Sequence, residues 1–335
     1  MIGIVEVDPS DEAALRAYWE TEQTAIRADR PHALLRTWDM LLKDAQSPGR
    51  YYRRRLLAAR DGDVTVATAE IGGFVEDNTH LADLEINVLP DRRREGIGRA
   101  VYDDAMRRCA EQGRTTVCGE LHVPMGTEPV AAAPYAFATA MGLAEVHAED
   151  HLVLPLPVDD GHVAVLRTAA EAKAAEYEII TWGDVCPDDY IEAFCALRTR
   201  MDSDVPIGEV DYQPVVYTVE RLRTSEERVA KLYGSVVSAA RRRRDGVFAG
   251  YSQVYVPHGE PDVLQDDTLV MPDHRGRRLG TLLKLATLGV LTEEYPASTS
   301  IHTWTDPDNH AMQRTNRDFG FRAVERMYEM QVKRS

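Results

Sequence analysis

LEINVLPDRRREGIG, residues 84–98, and DDTLVMPDHRGRRLG, residues 266–280, are two versions of one pattern. Each runs from a short apolar stretch through Pro-Asp and an arginine-rich turn to a glycine that opens an amphipathic segment. Val88, Pro90, Asp91, Arg93 and Gly98 recur as Val270, Pro272, Asp273, Arg275 and Gly280, all at the same offset. Five matches in register point to an internal duplication. Each copy reads as strand, turn and helix. A helix N-terminus leaves backbone N–H groups unpaired and carries partial positive charge, and glycine keeps the approach to them clear. Each turn is therefore a candidate phosphate cradle.

The flanks repeat as well. Residues 52–59 and 64–75 read as two strands around Arg60-Asp61-Gly62-Asp63, and residues 230–240 and 247–256 as two strands around 241–246. Asp-Gly between β-prone runs is a hairpin signal. A helical region precedes each hairpin, about 11–45 and 187–230. After each turn, residues 97–112 and 279–294 carry apolar side chains at helical spacing. Strands 115–121 and 299–304 follow. Then come a short helix, the steps Met141-Gly142-Leu143 and Phe319-Gly320-Phe321, and closing strands near 144–154 and 322–332. The Pro/Asp/Gly-rich stretch 155–161 reads as a linker, with a helix at 163–175. The expected fold is α/β: two tandem domains, each a mostly antiparallel central sheet flanked by helices. The expected limits are 1–156, a linker and connecting helix at 157–175, and 176–335.

With 335 residues, 44% of them hydrophobic, the chain can bury two ordinary cores. No apolar run approaches the roughly 18–20 residues of a membrane helix, and MIGIVEVDPSDEAALRAYW lacks a signal-peptide profile. A soluble, cytoplasmic protein is expected, monomeric or homodimeric. The net charge of −16 argues against nucleic-acid and anionic-membrane partners. The basic run Arg241–Arg244 reads as a solvated turn. Cys109, Cys118, Cys186 and Cys195 form no CxxC pair and sit near no clustered histidines, so no metal is expected.

Arg93-Arg94-Glu95-Gly96-Ile97-Gly98 fits R-x-x-G-x-G after a strand ending Val-x-Pro. No GK[ST] follows, and the preceding strands form hairpins rather than crossovers, so neither a P-loop nor a dinucleotide loop is indicated. The segment resembles the acyl-CoA pyrophosphate loop of the GCN5-related N-acetyltransferase (GNAT) superfamily, and the whole chain resembles its tandem-domain members. That resemblance implies acyl-CoA, most simply acetyl-CoA, as co-substrate. It implies contacts from Val88, Arg93, Arg94, Gly96, Ile97 and Gly98 in the first half. In the second half it implies contacts from Val270, Arg275, Gly276, Arg277, Arg278, Leu279, Gly280 and Thr281. The second loop departs from the pattern, with Arg278 where a glycine is expected. Asn309-x2-Met312-x3-Asn316-x2-Phe319-Gly320-Phe321 resembles the family's helix against the pantetheine arm, with Asn316 where a tyrosine often stands. The first half has Ala131 and Ala138 at those two positions.

N-acyl transfer needs a base for the amine proton, a donor for the oxyanion and a proton for the departing thiolate. Glu85 and Asp267 occupy equivalent places three residues before Val88 and Val270, and each is a candidate base. His302, on the strand facing the second mouth, is another. The resemblance makes Val270 N–H the oxyanion donor. The amide of Asn316 can hydrogen-bond sulfur but cannot act as an acid. The expected activity is acyl transfer to a primary amine of a small molecule by the C-terminal half. The alternatives are the same chemistry in the N-terminal half through Glu85, or a non-catalytic acyl-CoA-binding regulatory protein.

Overall fold

The computed structural model describes residues 2–334, which fall into two compact units. In the first, β1 (Ile2–Glu6), β2 (Tyr52–Asp61), β3 (Val64–Phe74), β4 (Leu81–Val88) and β5 (Thr116–Pro124) lie side by side in chain order. All neighbours are antiparallel except β4 and β5. Strand alternation sends Ala67, Ala69, Ile71 and Leu84 to one face, where Val101 and Ala105 of α3 (Ile97–Glu111) cover them. Leu56 and Ala58 point to the other face, against Leu15 and Tyr18 of α1 (Glu12–Arg27) and Leu41 of α2 (Trp38–Gln46). The short α4 (Ala133–Ala140) follows β5.

The second unit repeats the plan. Residues 150–155 of β6 (Ala144–Pro155) pair with β11 (Ser300–Thr305). Then come β10 (Asp262–Val270), β9 (Phe248–Pro257), β8 (Tyr233–Arg242) and β7 (Tyr177–Trp182). Only β10 and β11 run parallel. One face is covered by α5 (Asp160–Glu171), α8 (Leu279–Glu294) and α9 (His310–Phe319), with Leu279, Leu283 and Phe319 packed on Val254, Val263 and Ile301. The other is covered by α6 (Ile191–Asp204) and α7 (Val219–Val229), with Phe194 and Leu222 against Tyr251 and Leu269.

The hairpins and turn-helix junctions stand where the sequence patterns place them, while the helical regions expected at 11–45 and 187–230 each hold two helices separated by a non-helical stretch. Strands β1 and β7, one at the edge of each sheet, were not anticipated. Unit membership also departs from simple halves. The last strand, β12 (Arg322–Lys333), lies beside β5 in the first unit from Glu325 onward, while the second part of β6 belongs to the second.

In both units the parallel pair is short. Strands β4 and β5 pair over Leu81–Asp83 and Thr116–Cys118, and β10 and β11 over Asp262–Leu264 and Ser300–His302. The ladder pairing of each pair stops there, short of the turn that follows β4 or β10.

Close backbone approach fixes β9 against β10. A Cβ added at Gly250 would lie 2.3 Å from the Leu269 carbonyl oxygen, which cannot swing away as a side chain would. Gly250→Ala is expected to destabilise the protein by about 2–3 kcal/mol. Gly289→Ala, in helix α8 with open space around it, should stabilise by about 0.5–1 kcal/mol. Denaturant unfolding of the two variants checks both signs.

Candidate functional site

The turns after β4 and β10 share a backbone path that their sequences disguise. Left-handed conformations occur at Arg94 (φ 68°) and Gly96 (φ 84°) in the first, and at Gly276 (φ 80°) and Arg278 (φ 55°) in the second. Glycine and arginine have exchanged places over the same two positions. Arg278 therefore does not mark a different loop. It is an arginine held where glycine is preferred, at a cost of about 1–2 kcal/mol. The first arginine of each turn is a staple: Arg93 Nε donates to Val88 O (3.1 Å) and Arg275 Nε to Val270 O (3.0 Å). Arg277 closes on Asp273 O (2.9 Å). His274 is buried against the Tyr177 hydroxyl (2.8 Å). Arg278 is exposed and makes no ion pair among the described residues.

Helices α1, α2, α5, α7 and α9 have side-chain N-caps, from Asp11, Thr37, Asp159, Thr218 and Asn309. Helices α4 and α6 have none, and neither do α3 and α8. Their first N–H groups remain available to an anion, which fits the pyrophosphate expected there.

The two cradles differ in what lies over them. A Cβ on Gly98 would meet the Phe137 ring of α4 at 3.3 Å. Around Gly280 the nearest atoms are the Thr268 and Val270 methyls of its own sheet, at 3.8 and 3.9 Å. Counted back from Gly142 and Gly320, the residue in the place of Phe137 is Thr315. An aromatic ring thus packs against the first turn's glycine, and none stands within 4 Å of that position on the second.

The strands below also differ. Pairing of β3 with β4 runs unbroken from Gly72–Asp83 to Ala67–Val88, whereas β9 and β10 slip register between Gln265 and Thr268. That bulge turns Asp266 and Asp267 together toward α6. Arg198 Nη1 reaches Asp267 Oδ2 (2.9 Å), Asp266 Oδ2 (3.2 Å) and Gln253 Oε1 (3.0 Å). The Tyr251 hydroxyl donates to Asp267 Oδ2 (2.6 Å). Asp267, the expected base, is thus a doubly anchored carboxylate. Its neighbour Asp266 is the labile one. Desolvation by the surrounding protein, and then the charge of Asp267, push its pKa up to about 6. Neither Arg198 nor the separate roles of the two aspartates were legible as sequence motifs.

His302 is buried, with both ring nitrogens engaged. The Ser300 hydroxyl donates to Asp262 Oδ1 (2.5 Å), so its oxygen accepts from His302 Nε2–H (2.8 Å). His302 Nδ1 then accepts from His151 Nε2–H (2.9 Å), and His151 stacks on Trp304 at 4.4 Å. This is a hydrogen-bonded relay rather than an open base. Asn309 caps α9 by accepting from Met312 N–H (3.2 Å). Asn316 is buried and donates to Thr305 Oγ1 (3.0 Å), while its Oδ1 has no partner. Glu85, in the first unit, is exposed and accepts from Asn87 (2.8 Å). There Glu120 and Glu329 face each other across strands, and desolvation followed by neighbouring carboxylates raises both to about 7.

Residues 6–135 and 209–321 match the family model described as the acetyltransferase (GNAT) family. The chain belongs to that family. It is an enzyme of the N-acetyltransferase type, with the family's fold in tandem. A tandem GNAT protein from the clavulanic acid biosynthesis pathway is similar over 99% of this chain and 98% of its own, at 24% identity and a TM-score of 0.80. A GCN5-related N-acetyltransferase from Sphaerobacter thermophilus covers 99% and 95%, at 14% identity and 0.64. The N-myristoyltransferase of Saccharomyces cerevisiae covers 99% and 79%, at 12% identity and 0.60. At these identities the likeness is one of fold. No curated protein sequence matches the chain. Among the described residues, no helix is long and apolar enough to cross a membrane.

Arg278→Gly is expected to raise stability by about 1 kcal/mol through relief of the left-handed strain. If Arg278 holds a CoA phosphate, the same variant binds CoA several-fold more weakly. Thermal unfolding and calorimetry read the two effects separately.

Proposed function

We propose that the second unit transfers an acyl group, most simply acetyl, from acyl-CoA to a primary amine of a small molecule. The observation that carries this reading is the open, uncapped start of α8 directly above the bulged, acidic stretch of β10. In the first unit Phe137 packs against the matching glycine and β4 has no bulge, which weighs against catalysis through Glu85 and favours a supporting role for that unit. The limits proposed from sequence, 1–156 and 176–335, describe the two copies of the motif rather than the two packed units.

Acyl-CoA supplies an activated thioester. The N–H groups of Leu279, Gly280 and Thr281 would hold its pyrophosphate, with Gly276 keeping the approach clear and Arg277 and Arg278 adding positive charge. Met271 N–H donates to Ala249 O. By strand alternation, Val270 N–H points to the opposite edge, the one β11 has left. It is there available to the acyl oxygen. Asp266, titrating near pH 6 and about one third exposed, accepts the proton of the incoming ammonium. Asp267, fixed by Arg198 and Tyr251, holds the negative field that draws a cation to this mouth. The Asp262–Ser300–His302–His151 chain offers a route for proton exchange along the same sheet face.

A cleft of about 690 Å³ between α6 and the approach to α7 is lined by Glu192, Thr199, Ser203, Tyr217 and Met271. The Tyr217 hydroxyl accepts from Arg198 Nη2 (3.1 Å), which ties this cleft to the aspartates. Its size suits a small-molecule acceptor, and Glu192 adds a second anionic contact for an amine.

Gly280→Trp is expected to abolish CoA binding and turnover, and Gly98→Trp to leave both within a few-fold of wild type. The opposite pattern would move the chemistry to the first unit. Asp266→Asn should lower kcat about 10²-fold or more. A base must be deprotonated, so wild-type kcat/KM rises as pH passes through about 6, and this limb disappears in the variant. Thiol release from acetyl-CoA across a panel of amines measures all three.

A further inference from the structure

The second unit has another cleft, apart from the one beside α6. It measures about 330 Å³ and is lined by Asp150 of β6, by Pro307, and by His310, Gln313, Arg314 and Arg317 of α9. The four helical residues stand at i, i+3, i+4 and i+7, so they share one face of α9, about 10 Å long. Asn316 and Phe319, the buried residues of this helix, lie on another. His310, Arg314 and Arg317 are exposed. Among the described residues, none of the three makes an ion pair or a side-chain hydrogen bond. That sets them apart in a chain of net charge −16, where Arg30, Arg36, Arg54, Arg198 and Arg223 all hold carboxylates. Asp306, Asp308 and Asp318 are close by in the chain, yet neither arginine of the cleft pairs with them.

Asp150 is the buried member of the lining. Its Oδ2 accepts from Gln313 Nε2 (3.3 Å), which also donates to Thr305 O (3.2 Å) and Asp306 O (3.3 Å). With that amide engaged, the donors left to a ligand are two guanidinium groups and an imidazole. Two arginines against one aspartate leave the cleft a formal charge of +1, or +2 when His310 is protonated. A doubly charged anion matches this. A carboxylate presents one planar edge, which a single guanidinium satisfies. A phosphate presents three oxygens, and so can take donors arriving from separate turns of a helix. The space exceeds what a phosphate group alone needs, and the Asp150 carboxylate repels a second anionic group while it can accept from hydroxyls. The cleft is also distinct from the cradle at α8. Thr315, counterpart of the Phe137 that meets Gly98, lies about 150° around α9 from the centre of the basic face. Strand β6 lies on the far side of β11 from β10.

We propose that this cleft binds a small phosphate monoester, separately from acyl-CoA. Its phosphate sits on Arg314, Arg317 and His310, and its neutral, hydroxyl-bearing body points toward Asp150.

The test is calorimetric titration of the full chain with glycerol 3-phosphate and glucose 6-phosphate, alone and in the presence of saturating CoA or dephospho-CoA. Sulfate and glycerol are the controls. One equivalent of at least one ester is expected to bind with a Kd of about 1 mM or tighter, with or without either nucleotide. Sulfate should bind at least about tenfold more weakly and glycerol not at all, since each supplies only part of the match. The double variant Arg314→Gln/Arg317→Gln changes two exposed side chains. It should weaken ester binding about tenfold or more and leave CoA affinity and thermal unfolding close to wild type. Absence of saturable binding by both esters overturns the proposal, as does equal ester affinity in the double variant. Sulfate binding as tightly as the esters would mean an adventitious ion only, and overturns it too. Displacement of the ester by CoA but not by dephospho-CoA would assign the cleft to the 3′-phosphate of CoA. Displacement by both would place the ester in the cradle at α8. Either result overturns a separate site.

Discussion

Two parallel strands that stop hydrogen-bonding after three residues leave backbone donors and acceptors facing each other across a widening gap. Those groups need partners, and neither strand can supply them to the other. In the second unit this gap organises what surrounds it. The slip between Gln265 and Thr268 places both aspartates on one face, Arg198 keeps them from repelling each other apart, and Tyr251 fixes one of them. Above the gap, an uncapped helix start supplies positive partial charge. The site follows from an interruption in the sheet, with polar groups gathered around it.

The same interruption in the first unit has had a different outcome. The strands part at the same place, and the turn has the same left-handed pair of residues. A ring has settled on the glycine, and acidic side chains from β5 and β12 have collected where a bulge is missing. Glu120 facing Glu329 is a like-charged cross-strand pair, which opposes stability once both ionise. The two copies thus keep one backbone and diverge in what lies over it.

Much of the architecture was legible because it is written in short-range chemistry. Arg60-Asp61-Gly62-Asp63 fixes a hairpin, Pro90 and Pro272 end strands, and the spacing of apolar residues after Gly98 and Gly280 marks helices. The site was legible only as far as the turns and the acidic mouth. The anchored role of Asp267 depends on Arg198, sixty-odd positions away, and the lability of Asp266 depends on the bulge that period-2 reading of a strand cannot reveal. Lys284 reads in sequence as an ordinary polar helix position, and only packing shows that its side chain is buried. Phe137 looks like a core residue, and it takes coordinates to find a glycine beneath it.

The placement of the last strand bears on how this duplicated chain can be divided. Residues 325–333 form the strand beside β5, and residues 150–155 the strand beside β11. A cut at the Pro155–Gly161 linker would therefore strip the first sheet of a strand and leave β5 with an unpaired edge. It would equally deprive β11 of its partner. Such raw edges invite pairing with other chains. Although the sequence reads as one domain written twice, neither copy carries all the strands its own sheet requires. The duplication is complete only as a single polypeptide.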